Sequence, residues 1–337
     1  MHQFTVENDE KQTVLTALRK RLPKQPSWSA VRKLMKARRI AIGGVLCLDE
    51  SRRLSRGESV TVTDKSLAPP PRDGDVKIQF IDKHIVVVEK PSGMLSIRRK
   101  SEYAWPWEKR NQQPTLDECV PRIISEYAAK KNKKQRDHRR HPKLFPVHRL
   151  DRDSSGLLVF ARNEEAQTKI IQQFAQHSAV RKYLALIPGT LDDQTIRSQL
   201  IRDRGDGLRG STKDQTIGEH AITHFSLQRK FGEYSELSCK LETGRTNQIR
   251  IHLAEAKHPI CGDIKYRGPY NSPPVDDNSN VHRLALHATE LNFTHPETND
   301  SLEYSAAWPI DMQRFICLLY TSPSPRDQRG SRMPSSA

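Results

Sequence analysis

The segment His148-Arg149-Leu150-Asp151-Arg152-Asp153-Ser154-Ser155-Gly156-Leu157-Leu158-Val159-Phe160-Ala161 joins a charged loop to an unbroken β-prone run. Asp151 sits in that loop between Arg149 and Arg152. A neighbouring cation favours the charged form of a carboxyl, so Asp151 is expected to stay ionised. Such a carboxylate can serve as nucleophile or base. A surface salt bridge is the commoner origin of an aspartate among arginines, so the segment needs company before it means chemistry.

Two later segments supply it. Arg181-Lys182-Tyr183-Leu184-Ala185-Leu186-Ile187 reads as a strand carrying one tyrosine, a residue that in strands usually packs in a core or an interface. Thr243-Gly244-Arg245-Thr246-Asn247-Gln248-Ile249-Arg250-Ile251-His252-Leu253-Ala254 runs on to His258-Pro259-Ile260-Cys261-Gly262-Asp263. Ile249, Leu253 and Ala256 fall on a helical seam after the Gly244 turn, and Arg250 projects from another side. An arginine at a helix start opposes the helix dipole unless an anion pairs with it, which points to a carboxylate or phosphate partner.

Upstream, Ile78–Ile81 and His84–Glu89 predict a hairpin about Asp82-Lys83, broken by Lys90-Pro91-Ser92-Gly93-Met94. Leu116 to Ala129 reads as a helix within an irregular, basic insertion over 98–143; its 130–143 portion holds eight Lys/Arg and one acid. That portion is a flexible surface insertion or an RNA-touching loop. Pro69-Pro70-Pro71 makes 65–75 a stiff linker and sets the preceding residues outside the main sheet. Between Lys11 and Arg39 stand ten Lys/Arg and no acid. The same stretch has two helical seams, Val14-Leu15-Leu18-Leu22 and Val31-Leu34-Met35, the second capped by Ser27 or Ser29. Gly43-Gly44 then turns between β-prone runs, and Val60-Thr61-Val62 follows. Residues 1–64 thus form a small basic domain, 76–319 the main domain, and the Ser/Pro/Arg-rich 320–337 a disordered tail, possible read-through sequence.

The chain of 337 residues carries Lys+Arg 56 against Asp+Glu 40, a net charge of +16. A polyanion is the natural partner, nucleic acid first and an anionic membrane surface second. No apolar stretch approaches the ~18 residues of a membrane span, and Met1–Glu10 lacks the pattern of a secretory signal. Cys47, Cys119, Cys239, Cys261 and Cys317 are widely spaced and form no CxxC pair, which disfavours a disulfide scaffold or Cys-rich zinc site and fits a reducing compartment. Neither a P-loop nor a GxGxxG fingerprint is present.

The His148–Leu157 segment, Lys182-x-Tyr-Leu-Ala, Gly244-Arg-Thr-x-Gln-Ile-Arg-x-His-Leu253, Lys90–Met94 and Leu284-Ala-Leu-His-Ala288 appear together in the order of the RluA-type RNA pseudouridine synthases, which the chain resembles from about Val76 to Pro309. Ser154 replaces the usual Thr, and Asn247 replaces the usual His. The N-terminal residues 10–64 resemble the ribosomal-protein S-four-like RNA-binding domain, through Ser29–Ile40, Gly44-Val45 and Arg56–Val60, though Leu46–Asp49 stand where Val-Asn-Gly is usual.

The resemblance implies an α+β fold: a mixed, mainly antiparallel sheet flanked by helices, its cleft across the middle. It implies isomerisation of uridine to pseudouridine in structured RNA, ribosomal RNA before transfer RNA. No cofactor or metal is needed, and a cytoplasmic monomer is expected. Asp151 matches the catalytic carboxylate, Arg250 its partner, and Tyr183 the aromatic that stacks on the base and helps remove the proton from carbon 5. Arg149 matches the residue that displaces the base. Leu284 or Leu286 lines the pocket. His148, Arg245, Asn247 and Gln248, and Arg32, Lys33, Lys36 and Arg38 of the basic domain, are expected at the RNA. Histidines such as His138 and His141 are expected as RNA contacts or surface residues, not ligands. A non-catalytic RNA-binding relative would carry the same charge but has no need of the Asp151, Tyr183 and Arg250 set. A glycoside hydrolase would need a second acid paired with Asp151, for which Asp153 is the candidate.

Overall fold

Two runs read as strands set the architecture. β-Branched and aliphatic residues over Ile85–Lys90 and Ser155–Ala161 alternate between two separate cores. Val86, Val88, Leu158 and Phe160 join one core, and Ile85, Val87, Leu157 and Val159 join another on the opposite face. A strand covered on both faces has no polar side to show, which explains the continuous apolar run.

The structure is a computed structural model and describes residues 2–7, 12–131 and 141–321. Residues 322–337 of the expected 320–337 tail and most of the basic stretch, His138 included, lie outside the described residues, while 320–321 end a helix.

The N-terminal part comprises β1 (His2–Thr5), α1 (Val14–Arg21), α2 (Trp28–Lys36), β2 (Ile40–Ile42), β3 (Val45–Leu46) and β4 (Ser59–Val62), in the sheet order β1-β4-β2-β3. Thr13 caps α1 and Ser27 caps α2, each accepting from a backbone N–H three residues on. The two helical seams converge on one core with Ile40, Leu54, Val60 and Val62. Strand β1 has no clear signal in the sequence; it closes the sheet edge against β4.

The larger part continues with β5 (Lys77–Ile81), β6 (Ile85–Lys90), α3 (Trp107–Gln112), α4 (Leu116–Lys131), β7 (Phe145–Pro146), β8 (Ser155–Ala161), α5 (Glu164–Ala175), β9 (Val180–Pro188), β10 (Gln194–Ile201), β11 (Gly210–Thr212), β12 (Glu219–Phe231), β13 (Tyr234–Leu241), α6 (Gln248–Glu255), β14 (Leu286–Thr294), β15 (Ser301–Ser305) and α7 (Ile310–Thr321). Among the described residues the sheet has 11 strands in the order β11-β10-β12-β13-β9-β14-β8-β6-β5, with β15 beside β14 and β7 beside β8. Its pairings between strands are antiparallel except β14 with β8. The expected α+β class and mixed, mainly antiparallel sheet are therefore what the chain adopts.

The N-terminal part has its own sheet and core, yet it does not stand clear of the main domain. Lys109 Nζ lies 3.0 Å from Asp49 Oδ1 and donates to Ser51 Oγ at 3.0 Å. The Gly43-Gly44 turn sits so close to Ile264 that a Cβ on Gly44 would run into it. A proline linker limits the reach of the domain without setting its direction, so this docking is not readable from the linker.

Gly156 marks the join of the two halves of the sheet. Its φ is +116°, and a Cβ there would strike the backbone of Ala288 in β14. Gly156→Ala should destabilise the protein by at least about 2 kcal/mol, read as a lower denaturation midpoint, with activity lost in the same preparation.

Candidate active site

Strand order brings the three sequence segments together. Tyr183 of β9 pairs with Ala288 of β14, and Ala288 pairs with Gly156 at the start of β8. The loop before β8 carries Asp151. A cavity of about 630 Å³ opens here, lined among others by Arg149, Asp151, Arg181, Tyr183, Arg245 and Leu286. Leu284 lines a different cavity, between the N-terminal and main domains, so Leu286 is the leucine that shares the Asp151 cavity.

The Asp151 loop is held from outside. Ser96 Oγ donates to Leu150 O at 2.9 Å and accepts from Leu150 N–H at 3.0 Å. Lys90 Nζ and Gly93 N–H both donate to Arg152 O, at 2.9 and 2.8 Å, and Ser92 Oγ donates to Asp153 O at 2.6 Å. The Lys90–Met94 turn is thus a cradle for the loop. Lys90 is buried, with its remaining donors on Pro91 O and Met94 O. Burial pushes its amine down to about 7, against the pull of Asp153 and Asp151.

Asp151 keeps 19% of its side chain exposed, and its Oδ2 is 3.8 Å from Arg250 Nη1. Burial pushes the Asp151 carboxyl up and outweighs the opposing pull of Arg250, Arg149 and Lys90. The neighbouring cations alone would shift it the other way; desolvation reverses the direction. A carboxylate with a raised pKa is a better base and nucleophile when ionised. Arg250, in the buried helix α6, has its main partner elsewhere: its Nε and Nη2 donate to Asp263 at 2.7 and 2.8 Å. Burial opposes its charge, and the Asp263 bonds with the pull of Asp151 more than restore it, leaving its pKa above the usual arginine value.

Tyr183 is buried, and desolvation with the nearby Asp151 charge pushes its phenol up to about 12. The ring is therefore neutral at ordinary pH and suited to stacking; a neutral phenol is a weak base for proton removal.

Three residues expected at the RNA line this cavity and are also hydrogen-bonded within the protein. Gln248 is buried, accepting from Thr243 Oγ1 and Arg245 N–H and donating to Ile222 O and Thr223 Oγ1. Asn247 accepts from Arg250 Nη1 at 3.2 Å and donates to Tyr266 OH at 3.0 Å. His148 Nε2 accepts from Val159 N–H at 3.2 Å, and burial lowers its pKa to about 3. Arg149 is exposed at the cavity, and Arg245 lines it while donating to His220 O. His141 is exposed and hydrogen-bonded to Ser125. Arg32, Lys33 and Lys36 are exposed on α2 and Arg38 is half-buried behind it. Asp153 lines the interdomain cavity, and its charge helps raise the Asp151 carboxyl.

Arg181, Asp263 and Tyr266 join the site without having stood out in the sequence. Arg181 had a signal, since it precedes Tyr183 by two residues on a strand and so shares its face.

The sequence signature described as RNA pseudouridylate synthase matches residues 84–255, just over half of the chain. The chain belongs to this family. Its members are isomerases, and so is this enzyme. It is 32% identical over 276 residues to the ribosomal large subunit pseudouridine synthase D of Xanthomonas campestris, covering 79% of this chain and 77% of that one. The Xylella fastidiosa protein of the same description is 32% identical over 256 residues, 74% of this chain and 71% of its own. The solved structure of human RNA pseudouridylate synthase domain containing 4 has the same fold, with TM-score 0.55 at 18% identity over 72% of this chain and 92% of that one. Among the described residues, no helix of the synthase is long and apolar enough to cross a membrane.

Two outcomes follow for Asp151. If its ionised form reacts, activity falls as pH drops through a midpoint above the ordinary aspartate value of about 3.9, which a single-turnover pH series reads directly. A raised carboxyl pKa means that the charged form costs stability above that midpoint. Asp151→Asn, with Arg250 still paired to Asp263, should therefore raise the melting temperature by roughly 2–4 °C for each kcal/mol relieved; a lowered value counts against the assignment.

Proposed function

We propose that the synthase isomerises uridine in large-subunit ribosomal RNA, with Asp151 as the catalytic carboxylate. The observation that carries this reading is the partly exposed Asp151 carboxylate, within 3.8 Å of buried Arg250 and beside Tyr183 and Leu286 in one cavity. The relatives described above are named for the large ribosomal subunit, which supports that RNA over transfer RNA.

In this reading the target uridine leaves its stack, at a cost of a few kcal/mol. Arg149, exposed at the rim, takes the space the base vacates, and the base packs between the Tyr183 ring and Leu286. The bond between N1 and the ribose C1′ breaks, the uracil turns, and carbon 5 bonds to C1′. The hydrogen on carbon 5 leaves as a proton and N1 gains one, so no electrons are exchanged. Asp151 engages the ribose or the proton in this sequence. Arg250 keeps it ionised, and a lysine there would lack the planar fork.

The basic N-terminal domain is assigned to RNA affinity. Its α2 presents Arg32, Lys33 and Lys36 outward, Arg32 in an exposed pair with Glu50. Exposed pairs of this kind contribute little to stability and exchange readily for phosphate.

The decisive experiment maps pseudouridines across ribosomal and transfer RNA in cells lacking the gene, complemented with wild type or Asp151→Asn. Wild type should restore a large-subunit ribosomal site and the Asn variant should not; a restored transfer-RNA site alone overturns the choice of RNA. Neutralising Arg32, Lys33, Lys36 and Arg38 together should flatten the salt dependence of RNA binding by about 0.7–0.9 in log–log slope for each phosphate no longer neutralised, while the melting temperature holds.

A further inference from the structure

The structure commits most of the Arg250 fork before the reacting carboxylate is reached. Nε and Nη2 donate to Oδ2 and Oδ1 of Asp263, and Nη1 donates to Asn247 Oδ1. Asp151 lies 3.8 Å from Nη1, too far for a hydrogen bond and close enough for charge to act. Asp263 is itself pinned. It is buried, and its Oδ1 also accepts from the backbone N–H groups of Lys265 and Tyr266 at 2.9 and 3.0 Å. The Tyr266 ring lies 5.0 Å from Arg250 Cζ, and its hydroxyl is tied back to Asn247. Anion, ring and amide together fix the plane and position of the guanidinium.

Without Asp263, the Arg250 fork would be free to turn and bind Asp151 through two nitrogens, the preferred arrangement of an arginine with a carboxylate. Both oxygens of Asp151 would then be held, and the ion pair would have to be broken before the ribose or its proton could be engaged. We propose that Asp263 is a positioning residue, which keeps Arg250 as a one-nitrogen neighbour of Asp151 so that this carboxylate is charged yet uncommitted. The proposal rests on the reading of Asp151 as the catalytic carboxylate.

The groups that face Asp151 define what a pH measurement reports. They are Arg250 from α6, Tyr266 from the loop after it, Arg149 and Asp153 from its own loop, Lys90 from the end of β6 and Tyr183 from β9. Asp263 stands behind Arg250. Removing its charge strengthens the pull of Arg250 on Asp151 and so favours the ionised carboxylate.

The test compares full-length wild type with Asp263→Asn, Asp263→Glu and Asp151→Asn. The probe is total RNA from cells lacking the gene, grown with 5-tritiated uridine. Tritium released from carbon 5 is followed under single turnover across pH, and RNA binding is measured separately. Asp263→Asn should leave binding unchanged, slow the reaction by about 10- to 100-fold, and move the acid limb of the pH profile to lower pH. Asp263→Glu retains the charge but misplaces the fork, so it should be slow with the acid limb unmoved. A wild-type rate in the Asn variant, or a slow rate with an unmoved acid limb, overturns the proposal. Should the Asn variant not fold, a wild-type rate in Asp263→Glu overturns it equally. Turnover by Asp151→Asn removes the underlying reading of Asp151, whereas a silent Asp151→Asn beside a normal Asp263→Asn removes only the role of Asp263.

Discussion

A carboxylate lies near the centre of an apolar sheet beside a buried arginine, and much of this molecule offsets the cost of placing charge there. Desolvation pushes Asp151 toward its neutral form, and the opposing cations come from three separate places: its own loop, the end of β6 and helix α6. Helix α6 is buried along nearly its whole length, yet it carries Gln248, Arg250 and His252. Such a helix is stable only if each polar group finds a partner. His252 bonds to Thr223 on one ring nitrogen and Ser198 on the other, Gln248 closes the turn before the helix, and Arg250 is matched by Asp263. The strands β10 and β12 therefore act as a polar lining that lets a charged helix be buried.

Legibility of the sequence followed the range of each interaction. The β6 and β8 runs, the hairpin at Asp82-Lys83, the helix over α6 and the two N-terminal helices announce themselves through local periodicity and caps. The likeness to RNA pseudouridine synthases rests on motifs that are also local, and the fold follows from it. Asp263 was invisible as a partner because it lies in a loop beyond α6, and nothing in the spacing says which anion an arginine will find. The hydrogen bonds that Asn247 and Gln248 make within the protein were hidden as well, those of Asn247 made from a left-handed conformation with φ +61°. The sign of the Asp151 shift needed burial, a property of the assembled sheet.

The two domains are less independent than a proline linker suggests. The loop that carries Asp263 also carries Ile264, and Ile264 is the residue the Gly43-Gly44 turn rests on. The cavity between the domains is lined by Gly44 and Leu46 on one side and by Arg152, Asp153 and Arg250 on the other. The basic domain and the buried arginine thus share a wall.

Strand β14 fills the slot between β9 and β8, though it is nearly the last strand in the chain. During translation, β9 and its neighbours on one side and β8 with β6 and β5 on the other can pair among themselves long before β14 emerges. Until then Tyr183 and Asp151 lie on separate half-sheets, each with an unpaired edge. A chain that ends before Leu286 lacks the strand that joins the two half-sheets, and so leaves two unpaired edges and keeps Tyr183 apart from Asp151.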